Sequence, residues 1–98
     1  MNKLSPDEAK RLILLILEQG TTEFSAHCLH ESMPKRSATT VDVVNALKAG
    51  EIIREPEWSE EHQNWKYRVE GADTEGDDLK VNTVIIESDL CLFIVTVF

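Results

Sequence analysis

The sequence has little of several things, and each shortage narrows what the chain can be. It has two cysteines in 98 residues, Cys28 and Cys91, far apart in the chain. That is no disulfide framework, and buried free thiols are the expectation. No unbroken apolar run exceeds six residues, the length of Leu12 to Leu17. A bilayer span needs roughly 20 residues, so no membrane association is expected. No basic segment precedes a cleavable apolar stretch, so no secretory signal is expected and cytoplasmic residence is the default. There is no internal repeat and no low-complexity segment. Positive charge is also scarce: 10 Lys and Arg stand against 18 Asp and Glu, a net charge of −8. Broad nucleic-acid binders carry a basic face, because their affinity comes largely from neutralising phosphates. An acidic total argues against strong general binding of RNA or DNA, yet leaves room for a local basic patch. The excess is uneven, since residues 51–78 hold ten carboxylates and only Arg54, Lys66 and Arg68 as cations.

What is present describes one ordinary globular domain, 42% hydrophobic and 29% charged. Ser5-Pro6-Asp7-Glu8 is a helix start: Ser5 caps, Pro6 suits the first turn, and Glu8 completes a capping box. This helix runs to Gln19, with Gly20 as a left-handed stop. Its leucines and isoleucines lie nearly all round, so the helix is either wrapped on both sides by its own domain or carries one face to a partner or a second copy. Residues 21–24 read as a short polar link, with extended structure as an alternative. Ser25 caps a second helix over 26–33, ended by Pro34. Thr39 or Thr40 caps a third, closed by Gly50. Extended structure follows: Glu51–Glu55, then Trp65–Gly71, Leu79–Glu87 and Leu90–Phe98, separated by charged turns. Helices followed by strands predict an α+β fold, with three N-terminal helices packed on a four-stranded antiparallel sheet.

Several local features together resemble a known group. These are a short helix with His27, an elbow from Met33 to Arg36, and a third helix carrying Val41, Val44 and Leu47 that ends in Gly50-Glu51-Ile52. The Tyr67–Gly71 strand and a terminal strand with Thr96 and Phe98 complete the pattern. It resembles a small bacterial domain family of unknown function related to the RelE, MqsR and BrnT toxins of type II toxin–antitoxin systems. The resemblance spans residues 24–98, with residues 1–23 as an added helix and link. It implies a compact toxin fold whose sheet holds RNA, and activity as a metal-independent mRNA interferase, often at the ribosome. It also implies a cognate antitoxin as partner and no cofactor. The chain departs from those toxins in its acidity and in ending at Phe98 without a basic tail.

The chemistry of such an enzyme can be stated from its residues. Cleavage through the RNA 2′-hydroxyl needs a base at that oxygen, a cation beside the phosphate and an acid for the leaving oxygen. His27 and His30 are candidates for acid and base. Arg36 is a candidate at the phosphate, and Tyr67 can donate or stack. Lys35, Lys66, Arg68 and Lys80 are candidates for phosphate contact. Plainer readings stand beside these. The histidines can be solvated, the cations can form an ordinary wet sheet face, and Trp58, Trp65 and Tyr67 can be packing residues. A zinc site from His27, His30 and Cys28, with His62 or Cys91 as a fourth ligand, lacks a second paired set of ligands. A non-enzymatic interaction module, or a homodimer, that uses the apolar first helix is the alternative to the toxin reading.

Overall fold

The computed structural model describes residues 2–98. Helix α1 (Pro6–Gln19) begins as its sequence dictates: Ser5 accepts from the Glu8 N–H, and the Glu8 carboxylate accepts from the Ser5 N–H. Ala9, Ile13 and Ile16 form its buried stripe, whereas Leu14 and Leu15 remain about 40% exposed (39% and 41%). The helix therefore has one covered face and one uncovered apolar face. Gly20 ends it in an extended conformation rather than a left-handed one. The glycine is needed for a different reason: a Cβ there would collide with the Leu90 carbonyl oxygen.

The chain then enters β1 (Thr21–Phe24), which pairs in parallel with the last strand, Thr21 opposite Cys91 and Phe24 opposite Ile94. Helix α2 covers residues 26–35 and α3 is Thr40–Ala49. Strands β2 (Glu57–Ser59), β3 (Asn64–Ala72), β4 (Asp78–Ile86) and β5 (Cys91–Val97) follow. Among the described residues the sheet has five strands in the order β1-β5-β4-β3-β2. The fold is α+β with three helices, as expected. The sheet, however, is mixed and five-stranded, not antiparallel and four-stranded. Two local facts account for the difference. Thr21–Phe24 is too short and too polar to show strand periodicity, but it lies along the open edge of β5. Glu51–Glu55 makes only one bridge, Glu51 to Glu70. Edge pairing passes instead to Glu57–Ser59, where Trp58 meets Trp65 edge to face at 5.3 Å between ring centres.

One sheet face supplies Tyr67, Val69, Leu79, Val81, Ile85, Leu92, Ile94 and Val97 to the core, against Ile13, Ile16, Val43 and Leu47 of α1 and α3. The hydrogen-bond register slips between Asn82 and Thr83 on β4, leaving Val95 as an extra residue on β5. Polar ties fix the helices to the sheet. The Lys10 ammonium donates to the carbonyls of Leu47 (2.8 Å), Lys48 (2.9 Å) and Gly50 at the end of α3. Asp42 forms a capping box with Thr39 and also accepts from the Thr74 N–H (3.0 Å) and hydroxyl (2.6 Å). That anchors the β3–β4 turn to the start of α3. Gly71 lets α3 lie against β3, because a Cβ there would meet the Ala46 backbone.

Candidate functional site

Among the described residues no helix packs over the second face of the sheet. Side chains of paired residues share a face, so the strand register states what lies there. One row runs Glu57, Lys66, Val84, Phe93, Glu23 from β2 to β1. The next is Arg68, Asn82, Thr96. The third is Glu70, Lys80, Phe98, the last pair joined by backbone hydrogen bonds of 2.8 and 2.9 Å. The Arg68 guanidinium lies 4.6 Å from the Phe98 ring centre and the Lys80 ammonium 5.9 Å from it. Cation–π contact orients both cations without neutralising them. Among the described residues Lys66, Arg68, Lys80 and Lys35 make no ion pair within 4 Å. Arg54 is engaged, with its Nε 3.6 Å from Glu70 Oε2. Arg54, Lys66, Arg68 and Asn82 border a narrow cleft of ≈ 30 Å³ with Glu55 and Glu57 on its far side. That volume admits about a water molecule, so an anion as large as a phosphate would rest on its rim.

Helix α2 forms another border of this face. Its middle, Cys28–Ser32, is a π-turn in which the Met33 N–H reaches back to the Cys28 carbonyl. Pro34 explains the widening, since it has no N–H to give and its ring presses on the carbonyl one turn back. Cys28 and Met33 turn into the core. His27, Glu31 and Lys35 form the opposite stripe, at successive steps of four. His27 Nδ1 is 3.0 Å from Glu31 Oε2, which leaves Nε2 free to exchange a proton. These three residues, with Arg36, Thr96 and Phe98, line a cleft of ≈ 260 Å³. Arg36 is fixed there by donating to the Asp78 carbonyl. His27 also lines a neighbouring cleft of ≈ 370 Å³, with His62 and Phe93 among its other walls.

The expected site residues are thus divided by the fold. His27, Lys35 and Arg36 share one cleft, and Phe98 forms the wall between them and the strip of Lys66, Arg68 and Lys80. His30 is exposed and lines neither of the clefts that His27 lines. Tyr67 is removed from the group altogether. It is buried on the helix side of the sheet, with its hydroxyl oxygen accepting the Leu4 N–H at 2.9 Å. Strand alternation alone required this, because Tyr67 lies between Lys66 and Arg68 and must point the other way. Burial raises the Tyr67 pKa further from the neutral range. The thiols of Cys28 and Cys91 are unlinked and are likewise pushed up by burial, which makes them poor nucleophiles.

Arg54, His62, Phe93 and Phe98 join the face without having been singled out as its residues. Asn82 lies there as its alternation with Lys80 on one strand face requires. His62 and Phe93 meet only through the fold, their rings 5.3 Å apart and tilted by 60°.

The arrangement defines a small α+β domain whose helix-free sheet face carries Lys66, Arg68 and Lys80, bordered by a histidine and flanked by carboxylates. Residues 24–98 match the family described as "Domain of unknown function (DUF4258)", and the chain belongs to that family. No curated protein and no solved structure matches it. Among the described residues no helix is long and apolar enough to cross a membrane.

Proposed function

We propose that this chain is an RNA-contacting protein of the RelE, MqsR and BrnT toxin type, acting as a metal-independent endoribonuclease through its helix-free sheet face. The observation that carries this reading is the shared wall at Phe98. It brings His27, Lys35 and Arg36 beside Arg68 and Lys80, so a proton-transfer group and unneutralised cations border one surface. In this reading a phosphodiester lies against Arg68 and Arg36. His27 Nε2 takes the 2′-hydroxyl proton, with Glu31 holding the ring through Nδ1. The 2′-oxygen bonds to phosphorus while the bond to the 5′-oxygen breaks, and the Lys35 ammonium protonates the departing oxygen. The products are a 2′,3′-cyclic phosphate and a 5′-hydroxyl. The cationic pair offsets the charge that builds on the phosphoryl oxygens. The RelE-like classification of the fold, a cytoplasmic location and an antitoxin that covers this face in the resting cell belong to the same proposal.

The test is induced expression followed by assay of purified protein on single-stranded RNA in a chelating buffer. Growth arrest and cyclic-phosphate ends, both abolished by His27→Ala, are expected. A wild-type protein that neither arrests growth nor cuts RNA removes the enzymatic reading. One observation favours a second reading, a non-enzymatic interaction module: Leu14 and Leu15 are exposed on α1, and Leu4, Leu12 and Leu15 line an open groove of ≈ 470 Å³. Under that reading Leu15→Glu dissolves a complex or dimer seen by size-exclusion chromatography; a monomer unaffected by the change counts against it.

A further inference from the structure

We infer that the cleft between α2 and the β2–β3 loop, floored by Phe93 and walled by His27 and His62, is a subsite for one unpaired nucleobase. The inference rests on the RNA-contacting reading above and gives that face a second function, that of holding a base beside the phosphate strip.

The geometry carries it in three steps. Phe93 is half-buried in the middle of the helix-free face, and His62 tilts over one side of its ring at 5.3 Å. Phe93 also borders a cleft of ≈ 370 Å³ shared with His27 and with Glu61, whose carboxylate is 3.8 Å from His62 Nε2. An aromatic floor in an open cleft suits a flat π-surface, and base–aromatic stacking tolerates any of the four bases. His62 adds a ring nitrogen at the cleft wall that can meet the polar edge of a base, and His27 closes another wall. Finally, Phe93 stands in the same cross-strand row as Lys66, with only Val84 between them. Two strand spacings are about 10 Å, a gap that the Lys66 side chain partly bridges. A nucleotide stacked on Phe93 therefore brings its phosphate within reach of Lys66 and Arg68. Three features of one ligand, a flat ring, a polar edge and an anionic group, find partners in that order across the sheet. Neither a simple anion nor an apolar peptide would use all of them.

The experiment is an NMR titration of the full chain, following the aromatic signals of Phe93 and His62. Adenosine and uridine 5′-monophosphates are the probes, and ribose 5-phosphate is the base-free control. Both nucleotides should shift the Phe93 and His62 signals saturably, whereas ribose 5-phosphate should shift the side-chain signals of Lys66 and Arg68 and leave the rings unmoved. Phe93→Leu keeps an apolar strand residue and should weaken nucleotide binding about fivefold or more. His62→Gln provides a second variant that leaves the floor in place, and it should weaken the same titration. The inference is overturned if the rings do not respond to either nucleotide, if ribose 5-phosphate moves them equally, or if both variants bind like the wild type. Failure of the enzymatic reading looks different: RNA stays uncut and growth continues while the nucleotides still titrate Phe93. RNA cleavage with unresponsive rings removes the base subsite alone.

Discussion

If the helix-free face binds RNA, its affinity must depend on salt by an amount that the structure fixes. Lys35, Lys66, Arg68 and Lys80 are the cations of that face with no ion pair among the described residues. Arg54 is committed to Glu70 and Arg36 to a backbone carbonyl, so neither is counted in full. Each neutralised phosphate on a single strand contributes about −0.7 to the slope of log K against log salt, so four cations give a slope of about −3. Between 50 and 200 mM salt the affinity then falls roughly fiftyfold. Fluorescence anisotropy of an end-labelled single-stranded RNA at several salt concentrations measures the slope. Arg68→Ala should reduce it by about 0.7 as well as weaken binding. Lys48→Ala is the matched control, because Lys48 is exposed at the end of α3 on the helix side of the sheet, and it should leave the slope unchanged. A wild-type slope shallower than about −1, or equal effects of the two substitutions, would refute the assignment of binding to this face.

His27→Ala should lower single-turnover RNA cleavage by about 10²- to 10⁴-fold, a far larger loss than that in RNA affinity, to which the ring contributes only as one wall of the Phe93 cleft. Lys10→Met removes a cation that donates to three carbonyls at the end of α3; a loss of about 2 kcal/mol is expected, allowing for water at this partly open site. In a chain of this length that is a fall of about 10 °C in the thermal midpoint, readable by circular dichroism. Gly71→Ala places a Cβ against the Ala46 backbone, which cannot swing aside, so about 1–3 kcal/mol should be lost in urea unfolding. The Asp42 carboxyl is held well below the usual carboxylate range, chiefly by the Thr74 hydroxyl and then by the backbone N–H groups of Thr39 and Thr74. Its stabilisation is therefore complete above the unfolded value near 4 and is lost as the pH falls toward the lower folded value. Unfolding midpoints from pH 7 to pH 2 should decline less steeply for Asp42→Asn than for the wild type, and parallel curves would contradict this account.

How much of the fold could be read from the chain depended on whether a residue's signal was local. The boundaries of α1 and α3 were legible because Ser5 with Glu8, and Thr39, act within one turn of backbone. The long strands were legible because alternation repeats, as from Trp65 to Gly71. The edges of the sheet were not. Thr21–Phe24 becomes a strand only because β5 lies beside it, and Glu57–Ser59 because Trp58 finds Trp65. Gly20 was correctly read as a stop, but the reason is long-range: the obstacle is Leu90, seventy residues later in the sequence. Tyr67 was misplaced although its parity was visible, because a residue type suited to RNA chemistry was given more weight than the alternation that buries it.

The charge of the chain has a similar resolution. A net charge of −8 describes the whole molecule, while binding responds to the potential over one face. The rows of the helix-free face show how the two coexist. The central strands carry Lys66, Arg68, Lys80 and Asn82, with the Glu70 carboxylate beside them paired to Arg54, and both edge strands end the first row in a carboxylate, Glu57 on β2 and Glu23 on β1. Five strands span about 19 Å from one edge to the other, close to the width of a nucleic-acid duplex. A single strand laid along the middle strands meets cations and Phe93, whereas a duplex of that width would also cover the flanking carboxylates. Acidity at the edges therefore need not oppose RNA binding at the centre. If RNA is the ligand, that acidity narrows it to one flexible strand, and the bulk composition, which averages edge and centre, contains no trace of the arrangement.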